Sequence, residues 1–241
     1  MGQPVLFEVK EGVALITLNR PERRNAMNQE LLSHLHRSVD EVAGNEAIRV
    51  AILTGNGKSF CSGIDLECIL TENLSDPLGD GRDLPQVLRG CSKPIIGAIN
   101  GHAITGGLEM ALLCDFLIAS ERATFCDTHA RVGILPGWGM TQLLQQAVGQ
   151  RLAKQMSLGC QPITADKALQ FGLVNEVVAH DELLPRAMQV ARDIFMANQE
   201  AMFSIKDLIE YRNTTTFEGG LAEERKRFWA FARQRLGEQR G

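Results

Sequence analysis

A parallel α/β core followed by a helical C-terminal part is the fold class this sequence predicts. Two observations predict it. Short apolar runs bounded by Gly, Asn and Pro alternate with helical periodicity as far as Leu143, and beyond that point helical periodicity dominates. Val13–Leu18 (VALITL) is apolar and β-branched and lies between Glu11-Gly12 and Asn19-Arg20-Pro21, which marks a strand. Asn28 suits the cap of a helix running to about Val42, with Leu31, Leu32, Leu35 and Val39 on one face. Residues 49–53 form a second buried strand, closed by Gly55-Asn56-Gly57. The polar, turn-rich stretch 71–85 (TENLSDPLGDGRDLP) reads as a mobile surface loop. Ile95–Ile99 is a third strand, Gly106-Gly107 introduces a helix over about 108–114, and 116–119 is a further strand. Helices are expected at 190–196, 201–209 and 221–231, with one strand-like break at 173–178. No fixed-period repeat and no linker composition appears, so the expected division is an α/β core at 1–190 and a helical region at 191–241.

Composition removes several function classes. A net charge of −4 gives no electrostatic reason to expect nucleic acid or an anionic membrane as partner. No apolar run reaches membrane-spanning length, and no leader pattern precedes the first strand. Cys61, Cys68, Cys91, Cys114, Cys126 and Cys160 form no C-x-x-C pair, so they read as reduced thiols of a cytoplasmic protein. Gly57-Lys58-Ser59 resembles the end of a phosphate-binding loop, but Ile52 occupies the position of its first glycine. Phe60 likewise spoils a dinucleotide fingerprint, and no G-x-S-x-G elbow exists. His34 and His36 are two apart on a helix and point to different faces, so no metal site is expected.

Two segments retain the character of a site. Residues 58–65 (KSFCSGID) follow a buried strand, and 100–109 (NGHAITGGLE) run from a strand into a helix. Glycines allow close backbone approach, and N–H groups at a helix N-terminus are unpaired. Each cluster alone is more often a tight turn. Converging, they would give one N–H each to a single oxygen, an oxyanion hole in which one donor is worth ~3 kcal/mol.

Residues 96–116 (IGAINGHAITGGLEMALLCDF) closely resemble the signature of the enoyl-CoA hydratase/isomerase (crotonase) family. Residues 58–65 resemble its other oxyanion loop, 19–27 (NRPERRNAM) its coenzyme A contact turn, and 131–142 (RVGILPGWGMTQ) its proline–glycine segment. The four stand in the family's order, and similarity covers about residues 5–235. This resemblance implies a crotonase-like spiral of ββα units with a C-terminal helical trimerisation region, assembling as trimers or dimers of trimers. It implies an acyl-CoA thioester substrate and no permanently bound cofactor. By position, the N–H groups of Ser62 and Gly106 would form the oxyanion hole. Arg24, Ala26, Ser62, Gly63, Ile64 and Asp65 would contact coenzyme A, and Glu109 falls on the first catalytic glutamate.

Three positions depart from the pattern. His129 stands where two-glutamate hydratases carry their second glutamate. A histidine accepts or donates a proton near neutrality, so Glu109 and His129 together could hold one water, with His129 as base and Glu109 as proton donor to Cα. Asp127 and Arg131 flank it and could supply charge to the pocket. Thr105 replaces a small residue, and its β-branch restricts the turn before Gly106. Trp138 replaces a small residue beside Gly137 and is expected to reshape the acyl pocket, with the Gly137 N–H placed to position water. The resemblance implies hydration of a 2-enoyl-CoA to a 3-hydroxyacyl-CoA. Its alternatives are double-bond isomerisation, thioester hydrolysis or decarboxylation, and a non-catalytic acyl-CoA binder.

Overall fold

The computed structural model describes residues 2–238. Strands β1 (Val5–Lys10) and β2 (Val13–Leu18) form a hairpin, and α1 (Gln29–Gly44) follows. Three similar units come next. They are β3 (Val50–Gly55), β4 (Ser59–Cys61) and α2 (Leu84–Gly90); β5 (Ile95–Ile99), β6 (His102–Ile104) and α3 (Gly106–Leu112); and β7 (Phe116–Ser120), β8 (Thr124–Cys126) and α4 (His129–Val132). In each unit the first strand enters one sheet and the second enters another. The first sheet runs β1-β2-β3-β5-β7-β10 and the second β4-β6-β8-β9. A spiral of ββα units is therefore what the chain builds. The remainder is α5 (Met140–Val148), α6 (Gln150–Gly159), β9 (Ile163–Thr164), α7 (Ala165–Gln170), β10 (Glu176–Val178), α8 (Leu183–Phe195), α9 (Gln199–Tyr211) and α10 (Phe217–Glu238).

The six-stranded sheet is covered on both faces, which explains why β3 and β5 are continuous apolar runs. Ala51 and Leu53 face a large core that includes Leu31, Leu32 and Leu35 of α1. Val50 and Ile52 face the other way, onto Leu183, Ala187 and Ala191 of α8. Each buried leucine on these faces contributes roughly 1.5–3 kcal/mol relative to exposure.

Helix α8 corrects the expected division at 190/191. The chain separates at Met196/Ala197, because α8 packs its small-residue face on the sheet and belongs with it. The second unit holds α9 and α10, joined by an ion pair of Arg227 with Asp207; Arg227 also bonds Glu223 at 2.9 Å. The expected mobile loop at 71–85 is also tied down. Gln29 Nε2 and Ser33 Oγ both donate to the Pro77 carbonyl, at 3.2 and 2.9 Å, and Arg82 forks onto Asp40 at 2.8 Å through both nitrogens. Turn chemistry there shapes the path without freeing the chain.

Candidate active site

The site sits where β4 and β6 end. Both strands are only three residues long, and they lie parallel in the second sheet. Gly107 lets α3 start against them: a Cβ there would stand 2.1 Å from the Cys61 carbonyl oxygen. Gly63 has φ +99°, a conformation open to glycine, and its own Cβ would stand 3.4 Å from the Gly106 nitrogen. The two glycine turns therefore abut.

Their free donors differ in part from the expectation. Gly106 opens α3, and its N–H has no partner among the described residues. The Ser62 N–H, by contrast, donates to the Arg24 carbonyl at 3.1 Å and is not available. On this turn the Ile64 N–H has no partner among the described residues. Met27 pairs with Ile64 as a parallel bridge: the Met27 N–H donates to the Gly63 carbonyl, and the Asp65 N–H donates to the Met27 carbonyl, both at 2.8 Å. That pattern spends the flanking groups and turns the Ile64 N–H to the opposite side. The register of this bridge is invisible in the sequence, so the engagement of the Ser62 N–H could not be read there.

The turn at 19–27 holds the bridge in place. Asn25 is fully buried and donates through Nδ2 to the carbonyls of Asn56, Ser59 and Phe60, at 3.0, 2.8 and 3.1 Å. Its Oδ1 accepts the Arg20 N–H at 2.8 Å. Arg20 pairs with the buried Asp65 at 3.4 Å and donates to the Ala26 carbonyl at 2.5 Å. Asp65 and Ala26 thus serve the shape of the turn, whereas the Arg24 side chain is exposed. Arg20 and Asn25 were not singled out from the sequence, although both lie in the motif that was.

Glu109, on the first turn of α3, is 2% exposed. Its Oε1 accepts the main-chain N–H groups of Trp138 at 2.8 Å and Met140 at 3.1 Å. Burial pushes its carboxyl above the ordinary range, more than those two N–H groups and His129 pull it down. Its Oε2 lies 3.6 Å from His129 Nε2. His129 in turn is buried, and its Nδ1 lies 2.6 Å from Asp127 Oδ1. Arg131 is directed elsewhere, onto the Cys160 carbonyl at 2.7 Å.

The proline–glycine segment behaves differently from the expectation. Gly137 is exposed, and the N–H groups of this segment that bond Glu109 are those of Trp138 and Met140. The buried Trp138 ring closes over Gly106, where a Cβ would meet its Cζ3 at 3.5 Å. Thr105 has φ +54°, strained for a β-branched residue, and its hydroxyl bonds the Thr128 hydroxyl at 2.5 Å and the Thr128 N–H at 3.2 Å. Among the described residues no group of side chains could hold a metal ion.

Two abutting glycine turns and a buried Glu109–His129 pair, carried on a ββα spiral, are the fold and candidate site of an enzyme. The chain belongs to the enoyl-CoA hydratase/isomerase family, whose sequence profile matches residues 8–238. It is 42% identical over 210 residues to probable enoyl-CoA hydratase 1, peroxisomal, of Arabidopsis thaliana, covering 85% of this chain and 78% of the relative. It is 38% identical to the 2,3-dehydroadipyl-CoA hydratase of Escherichia coli K12, covering 92% and 88%. Among solved structures it resembles an enoyl-CoA hydratase from Mycobacterium tuberculosis H37Rv, with a TM-score of 0.80, 42% identity and coverage of 91% and 95%.

Proposed function

We propose that this enzyme adds water across the α,β double bond of a 2-enoyl-CoA thioester. The thioester oxygen is held by the N–H groups of Ile64 and Gly106. Negative charge builds on that oxygen as the enolate forms, so donors fixed in advance lower the barrier. Water attacks Cβ and gives its proton to His129 Nε2, and protonated Glu109 delivers a proton to Cα. The raised affinity of Glu109 for its proton suits it to the acid role. Afterwards the imidazolium and the carboxylate face each other at 3.6 Å, so one proton passing from Nε2 to Oε2 restores the starting state.

The single observation that carries this reading is the buried Glu109–His129 contact. It supplies the second proton-transfer group that hydration needs and that double-bond isomerisation does not. The hydratase names of the relatives support it further. The test uses crotonyl-CoA with product followed by mass. His129→Ala is expected to lower kcat by about 10²–10⁴-fold. Hydration at the wild-type rate by that variant would remove His129 from the chemistry.

The substrate brings coenzyme A with it, and no permanently bound cofactor is part of the proposal. We place the pantetheine and nucleotide along the turns at 24–26 and 63–65, and the acyl group toward Trp138. We also propose a homotrimer or a dimer of trimers, supported by the apolar surface on the second unit. There α9 and α10 form a groove of about 680 Å³ lined by Ile205, Leu208, Ile209, Leu221, Phe228 and Phe231. The six cysteines form no disulfide among the described residues, which suits a reducing compartment, and a cytoplasmic location is proposed.

A further inference from the structure

We infer that Asp127 is a positioning residue, which fixes the tautomer and the aim of His129 so that a bare Nε2 faces Glu109 and the water. This rests on the hydration reading above.

Three geometric facts carry it. Asp127 Oδ1 lies 2.6 Å from His129 Nδ1 and also accepts the His129 main-chain N–H at 3.0 Å. One oxygen therefore binds ring and backbone of the same residue, which sets the ring's rotation relative to the helix start. A carboxylate can only accept, so the proton of a neutral imidazole must sit on Nδ1 and the lone pair on Nε2. That nitrogen is the one 3.6 Å from Glu109 Oε2. Asp127 and His129 are 1% and 6% exposed, so water does not compete for the bond.

Charge supports the geometry. Burial opposes ionisation of Asp127, yet the hydrogen bonds from the ring and main chain of His129 hold its carboxyl below the ordinary range. It is therefore anionic when the imidazolium forms, and the opposite charge lies on the far side of the ring from the substrate. Nothing neutralises it from Arg131, whose guanidinium bonds a carbonyl instead.

A free imidazole prefers its proton on Nε2, so loss of Asp127 should release the wrong tautomer. The experiment compares the wild type with Asp127→Ala and Asp127→Asn, the second keeping size in case the first misfolds. Nitrogen-15 spectra of labelled histidine should show His129 protonated on Nδ1 in the wild type. They should show an Nε2-protonated population in Asp127→Ala. Alongside this, kcat for crotonyl-CoA should fall at least ~10-fold with KM little changed, since about 1 Å of misplacement can cost about 100-fold. An Nδ1-protonated His129 with wild-type kcat in both variants would overturn the inference. The tautomer readout does not depend on turnover. If His129→Ala hydrates normally but Asp127→Ala still shifts the proton, the base assignment fails and the positioning role stands.

Discussion

At the scale of single residues, Glu109 is a group whose usefulness conflicts with stability. Its folded-state pKa is raised above the ordinary 4.5 by burial, so the stability it contributes is complete below that value. That stability is lost as the pH rises through the folded value. Glu109→Gln keeps an acceptor for the Trp138 and Met140 N–H groups but removes the buried charge. Its Tm is therefore expected to exceed that of the wild type at pH 8, by about 2–4 °C for each kcal/mol relieved, while turnover is abolished. Differential scanning at several pH values checks this, and the advantage should vanish below about pH 4.5. Glu109 and Gly106 were legible as candidates because they lie inside the run 96–116, and His129 because it departs from the family's second glutamate. The Ile64 donor was not, since the choice between Ser62 and Ile64 depends on which of them pairs with Met27. His36 illustrates the same limit. It lies at the edge of the apolar stripe, four residues after Leu32 and three before Val39; it is fully buried, and neither ring nitrogen has a hydrogen-bond partner among the described residues.

At the scale of elements, the site depends on contacts between short pieces of chain. Strands β4 and β6 have three residues each, too few for any alternation to appear, and in the sequence they look like loops. Long elements such as α1 and β3 were legible because their apolar pattern is complete. The turn at 19–27 joins these levels through Asn25, which ties it to the carbonyls around β4. Asn25→Ala would strand several buried carbonyls, and a loss of about 2–4 kcal/mol in urea unfolding is expected. Activity measured well below the unfolding transition should fall too, because the same turn carries Met27 and hence the Ile64 bridge. Wild-type stability in that variant would mean the turn is held by other contacts.

At the scale of the whole molecule, the alternation of strands and helices gave the α/β class, while the spiral came through the family resemblance. A spiral needs every second strand to leave for another sheet, and that departure is set by long-range pairing rather than local pattern. The boundary before α9 shows the same thing in reverse: only the packing of Leu183, Ala187 and Ala191 assigns α8 to the core. The proposed assembly is tested at this scale. Ile209 and Phe228 are 67% and 60% exposed, an unfavourable display for a monomer. Light scattering after size exclusion should report a trimer or hexamer for the wild type. Ile209→Asp with Phe228→Asp should give a smaller species, and a wild-type mass that is already monomeric would end the proposal.

Thr105 adds a consequence for how such a site could evolve or be redesigned. A threonine held at φ +54° costs on the order of 1–3 kcal/mol, and its hydroxyl is moored to Thr128, the residue before His129. The turn before Gly106 and the start of the helix that carries His129 are thereby hydrogen-bonded to each other. A glycine at this position would rest more easily but would leave the two halves free to drift. Preorganisation here comes from a residue that local preference alone would reject.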